Sequence, residues 1–139
     1  MAEQPADKPP SIEARQLAER FLSAVRGGHV DELVGCMTED ARLITDGGGV
    51  VRAAGRPILG AGRIARFFVG VRRWASENRR LVPTLVNGRH GALEYMDGIL
   101  VNAISFEFEG SRISAIYVVR NPRKLRHLGG PQALSSSDS

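Results

Sequence analysis

Apolar positions recur at helical spacing in the first half of the chain and at alternating spacing in the second half. Ala14, Leu17, Ala18, Phe21, Leu22 and Val25 form one face of a helix. Ser11 stands before it as N-cap, with Glu13 in the first turn, and Gly27-Gly28 ends it. A shorter helix is predicted over 30–37, where Asp31 and Glu32 complement the dipole of the first turn. Ala41-Arg42-Leu43-Ile44-Thr45 reads as a strand, Asp46-Gly47-Gly48-Gly49 as a turn, and 50–53 as a short return strand. A third helix is expected over 61–75. Ile64, Phe67, Phe68, Val71 and Trp74 share one side of it, with Arg63, Arg66 and Arg73 on an adjacent side.

From Arg80 the period becomes two. Asn87-Gly88 and Asp97-Gly98 are type I′ turn pairs, and Gly110-Ser111 suits type II′. Three hairpins in series predict a four-stranded antiparallel meander over 80–86, 89–96, 99–109 and 112–120. The turn centres set a register in which Phe108 faces Ile113, Phe106 faces Ala115 and Ile104 faces Tyr117. The same parity puts Leu100, Asn102, Leu93, Tyr95 and Thr84 on that face. The other face then holds Ala92, Glu94, Met96, Ile99, Val101, Ala103, Ser105, Glu107, Ile116 and Val118. Both faces are partly apolar, so one should pack on the helices and part of the other should meet a partner.

Helices followed by a twisted meander predict an α+β layer fold: three N-terminal helices packed on a curved antiparallel sheet, forming a cone whose mouth can hold a small ligand. The 139 residues fit one domain. Residues 1–10 read as disordered or linker, 11–128 as the folded domain, and 129–139 as a flexible tail. No apolar run reaches the ~20 residues of a membrane span, and the polar N-terminus has no signal-peptide pattern. A single cysteine, Cys36, excludes an intrachain disulfide and sits among Leu33 and Met37 as a packing residue. These features suit a cytoplasmic protein. The net charge of +4 permits an acidic partner without demanding one. His29, His90 and His127 have no metal spacing, and there is no phosphate loop, so no metal and no cofactor are expected.

Four segments carry a resemblance. DGGG at Asp46–Gly49, VRAAGRPILGAGRIARFF at 51–68, VNG at 86–88 and ISAIYVVRNPRKLRHL at 113–128 resemble the SnoaL-like (nuclear-transport-factor-two-like) domain. The specific likeness is to the form fused C-terminal to certain bacterial extracytoplasmic-function sigma factors. It runs from about residue 14 to residue 128. Two positions depart from the family pattern: Val50 stands where the family has lysine after DGGG, and Arg123 where it has aspartate in N-P-D-K-L. The resemblance implies a domain that regulates transcription initiation. Its partners would be sigma-factor regions two and four or RNA polymerase, and it would have no promoter recognition of its own. It further implies that Asn121, Pro122, Lys124 and Leu125 dock on the sigma core, with the Asp46–Gly49 loop shaping a contact.

The residues also admit other chemistry. Asp46 is either a turn former or a carboxylate at the cone mouth, the weak catalytic candidate of a cone-fold isomerase, cyclase or epoxide hydrolase. Thr84, Tyr95, Asn102 and Tyr117 would line the ligand pocket. Glu94 and Glu107 share the opposite face in the expected register. Arg63, Arg66, Arg72, Arg73, Arg79 and Arg80 form a basic region, read as a solvated surface. Leu125 and Leu128, three apart among basic residues, suit a helical turn that docks one apolar edge. A homodimer through Val101, Ala103, Ile116 and Val118 is the third reading.

Overall fold

The computed structural model describes residues 11–46, 56–72 and 78–120. The 50–53 strand, Gly47 to Gly49 and everything beyond Arg120 lie outside the described residues. Helix α1 runs Ile12–Gly27. The Ser11 hydroxyl accepts from the Ala14 amide at 3.0 Å, and Gly28 closes the helix at φ 73°. That left-handed conformation costs glycine little, which is why the helix stops there. Helix α2 is Val30–Gly35, shorter than the predicted 30–37. Cys36 caps it, and its carbonyl already accepts from the Ile113 amide at 2.8 Å. The chain is thus drawn into the sheet from Met37, where strand β1 (Met37–Asp46) begins. A two-residue strand β2, Ile58–Leu59, precedes helix α3, Ala61–Arg72.

Strands β3 (Arg79–Val86), β4 (Arg89–Met96), β5 (Ile99–Glu109) and β6 (Arg112–Val119) form the expected meander. Asn87 and Gly88 at φ 55° and 81°, and Asp97 and Gly98 at 53° and 82°, make the two I′ turns; Gly110 at 63° opens the third. Among the described residues the sheet has six strands, in the order β2-β1-β6-β5-β4-β3. It is mixed rather than antiparallel, because β1 joins the edge of the meander parallel to β6. A strand arriving from the helical half can reach that edge only through a non-local pairing, which no local turn announces.

Within the meander, two β-bulges reset the faces. Between β5 and β6, Phe108 pairs with Ile113 as expected, but Glu107 pairs with Ala115, so Ser114 is an extra residue. Its hydroxyl donates to the Glu107 carbonyl at 3.2 Å. Phe106 therefore faces Ile116 rather than Ala115, and Ile104 faces Val118 rather than Tyr117. Between β4 and β5, Glu94 pairs with Asn102 and Tyr95 with Leu100, leaving Val101 extra. Each bulge exchanges the side chains of one strand segment between faces.

The helix-covered face thus carries Leu81, Ala92, Ile104, Phe106, Ile116 and Val118, packed with α1, α3 and β1 residues in one core. Phe21 of α1 meets Phe68 of α3 edge-on at 5.5 Å and Phe106 of β5 at 5.3 Å. This aromatic trio ties both long helices to the centre of the sheet. The open face has its own small cluster of Val86, Ala103, Leu93 and Leu100. Gly91 is needed where β4 passes β5, because a Cβ there would collide with the Ile104 carbonyl oxygen.

Candidate functional site

The bulges divide the sequence-predicted pocket residues. Thr84, Tyr95 and Tyr117 lie on the open face with Leu93 and Leu100. Asn102 lies on the helix-covered face beside Glu94. Glu94 and Glu107, expected on one face, are on opposite ones. Thr84 is exposed, whereas Tyr95, Asn102 and Tyr117 are half-buried. Asp46 ends β1 in register with Val119; Gly47, Gly48, Gly49, Asn121, Pro122, Lys124 and Leu125 lie outside the described residues.

The most developed polar arrangement is on the helix-covered face. Glu94 is the one charged side chain buried in the core among the described residues. Its Oε2 accepts from Arg79 Nε at 2.7 Å, and its Oε1 accepts from Asn102 Nδ2 at 2.6 Å. The side chains of Arg79 and Glu94 are only 13% and 7% exposed, so this ion pair is shielded from water. A buried charge is tolerable when paired and hydrogen-bonded on both oxygens, as here. Such a carboxylate is a poor general base, because both oxygens already hold donors. Asn102 Oδ1 is buried and accepts no hydrogen bond.

Sequence reasoning placed Arg79 in the basic surface and missed this pairing. The β3–β4 register carried the signal: Leu81 stands opposite Glu94, and Arg79, two residues before Leu81, shares its face. Arg63, Arg66 and Arg80 are exposed, as the surface reading expects.

A second network occupies the open face. Tyr117 donates its hydroxyl proton to Glu107 Oε1 at 2.9 Å, and Arg42 donates to the Tyr117 oxygen at 3.4 Å. Arg42 lies 3.7 Å from Glu107, and Arg89 sits 6.0 Å from the centre of the Tyr117 ring. The bond to Tyr117 is the main influence raising the Arg42 pKa. This cluster joins β1, β4, β5 and β6 on a partly solvated surface.

Cys36 is fully buried, and burial pushes its thiol pKa up, partly countered by Arg20. It is an inert packing residue. His90 faces α1, near Arg15 and the Ser11 backbone; burial first and Arg15 second lower its pKa. His29 is the exposed N-cap residue of α2 and makes no side-chain cap bond. Among the described residues no three His, Cys, Asp or Glu side chains gather as metal ligands, and no helix is long and apolar enough to cross a membrane.

No family model and no curated protein matches this sequence. Solved structures do. The extracytoplasmic-function sigma factor SigJ of Mycobacterium tuberculosis superimposes with a TM-score of 0.67 at 22% identity, over 87% of this chain and 46% of SigJ. The chain therefore spans less than half the length of SigJ. A SnoaL-like protein of unknown function from Burkholderia thailandensis matches with a TM-score of 0.59 at 12% identity, over 80% of this chain and 97% of that one. An epoxide hydrolase from M. tuberculosis, described as LEH-like, matches at 0.51 and 16% identity, over 90% and 96%. At these identities the likeness establishes the fold: a nuclear-transport-factor-two-like cone with a curved, mixed six-stranded sheet and helices on one face.

Proposed function

We propose that this chain is a regulatory domain that modulates a sigma factor in transcription initiation, through the Asp46–Gly49 loop and the Asn121–Leu125 tail. The observation that carries the reading is the ordered series of motifs, DGGG, RAAGRPILG and NPRKL, on a chain with the cone fold. The likeness to part of SigJ supports it, since a domain of this size and fold occurs within a sigma factor. The Glu94 geometry supports it as well, because the buried carboxylate of the cone is tied up by Arg79 and Asn102 rather than poised for proton transfer. In this reading Leu125 and Leu128 supply the apolar edge and Lys124 the charge of the docking segment. Val50 and Arg123 replace a lysine and an aspartate of the resembled family, so the acidic and basic positions on the partner should differ to match.

The test is a pulldown of this chain against sigma-factor regions two and four from the same organism. Wild-type capture, lost in Asn121→Ala with Leu125→Ala, is the expected result. Equal capture by the double variant would remove the tail from the mechanism. No capture of either would remove the sigma-factor reading.

A further inference from the structure

We infer that Pro83 is an edge guard: it keeps strand β3 from pairing, backbone to backbone, with β3 of a second copy of this chain. Among the described residues β3 ends the sheet, with β4 on one side and no strand on the other. The register fixes which of its backbone groups are free. Val86 and Arg89 flank the Asn87-Gly88 type I′ turn, so these two residues exchange both backbone hydrogen bonds. The alternation of an antiparallel ladder gives the same to Thr84 with Gly91 and to Val82 with Leu93. Leu81, Pro83 and Leu85 fall between, and their backbone groups point away from β4 along the open edge. Proline stands at the middle position, where it costs β4 no hydrogen bond and denies the edge a donor.

The rest of the strand invites pairing. Val82, Thr84 and Val86 are strong strand formers, and Leu81 and Leu85 are apolar. Leu85 is 53% exposed, and Pro83 and Thr84 are exposed beside it. Charge protects the edge little, because the Arg79 guanidinium is held by Glu94 and Arg80 stands near the end of the strand. Antiparallel pairing about a two-fold axis through position 83 would set Leu81 opposite Leu85 of the second copy, Val82 opposite Thr84, and Arg80 opposite Val86. No like charges face each other in that register. Leu81 and Leu85 then satisfy each other's outward groups. At the centre two prolines meet: both donors are missing, and each ring lies against the facing carbonyl. The edge is therefore self-complementary but for one residue. At the opposite end of the sheet the described edge strand, β2, has two residues, too short to template a partner. Shortness blunts that edge, and proline blunts this one.

The inference is separate from the regulatory reading, and its test uses the whole chain without a sigma factor. Hydrogen exchange followed by NMR on the wild-type chain should find slow amides at Val82, Thr84 and Val86 and fast ones at Leu81 and Leu85. Protected Leu81 and Leu85 amides would overturn the assignment of a free edge. Pro83→Thr, checked for a native spectrum, supplies the missing donor at an exposed position. In sedimentation velocity it should self-associate at least about tenfold more tightly than wild type, as expected for a restored pair of hydrogen bonds, into a particle of twice the wild-type mass. The Leu81 and Leu85 amides should become protected as its concentration rises. Adding Leu85→Pro, which removes another outward donor and none from the β4 ladder, should return the wild-type mass. Association of Pro83→Thr no tighter than that of wild type would overturn the guard. So would association that survives Leu85→Pro or leaves the Leu81 amide exchanging freely.

Discussion

Toward the helices, the sheet presents Ile104, Phe106, Ile116 and Val118 to Phe21 and Phe68, with a single charged inclusion, Glu94, paired on both oxygens. On its other side it presents the small group Val86, Ala103, Leu93 and Leu100 and the Arg42–Tyr117–Glu107 network at the edge of solvent. Strands β4, β5 and β6 supply both faces. The difference shows how burial sets the worth of an interaction. A hydrogen-bonded charge matters most where water cannot replace its partner, and an apolar side chain where other side chains surround it.

The largest test of that contrast is truncation. Phe106→Ala should destabilise the fold by about 3–5 kcal/mol, as expected for a fully buried aromatic, read by chemical denaturation. Leu93→Ala on the open face should cost less than half as much. Equal losses would mean that the open face is as well covered in solution as the helix-covered one, which would point to a second copy of the chain there.

Next comes the buried pair. Arg79→Ala strands the Glu94 carboxylate and should cost about 3–5 kcal/mol. Arg79→Met combined with Glu94→Leu should recover most of that loss, since a buried pair contributes less than its breakage costs. A single-variant loss below about 1 kcal/mol, the range of exposed pairs, would show that water reaches Glu94.

The open-face network should respond weakly. Tyr117→Phe removes one partly solvated hydrogen bond and should cost about 1 kcal/mol or less; a loss as large as that of Arg79→Ala would erase the distinction between faces.

The smallest effect is a pH slope. His90 has a folded pKa below its ordinary value because of burial and then the Arg15 charge; the Ser11 backbone and Glu19 of α1 oppose the shift. The unfolded chain therefore binds this proton more readily. Stability is complete above the unfolded value of about 6.5 and falls as pH drops through it toward the folded value. His90→Gln should flatten the stability difference between pH 7.5 and pH 5.5. An unchanged slope would assign it to other groups.

The elements whose ends are marked by backbone chemistry could be read directly. Ser11 and Gly28 bounded α1, and Asn87-Gly88, Asp97-Gly98 and Gly110-Ser111 placed the meander strands to within about a residue. Features that depend on contacts distant in sequence could not be read this way. Nothing in Val101 or Ser114 marks a bulge, yet these two residues decide which face Tyr95, Leu100 and Tyr117 occupy. The parallel pairing of β1 with β6 joins segments some seventy residues apart, as Arg42 with Ala115, and no turn reports it. Of the candidate site, Asn102 was named from the sequence, and the unbulged β3–β4 register puts Arg79 and Glu94 on one face, but only the bulge at Val101 brings Asn102 to that face.

The most direct measurement is promoter-dependent transcription in a reconstituted system containing a sigma factor that bears this domain. Asn121→Ala with Leu125→Ala should change the transcript yield several-fold while the domain's melting temperature stays the same. An unchanged yield from a folded double variant would contradict regulation through the tail.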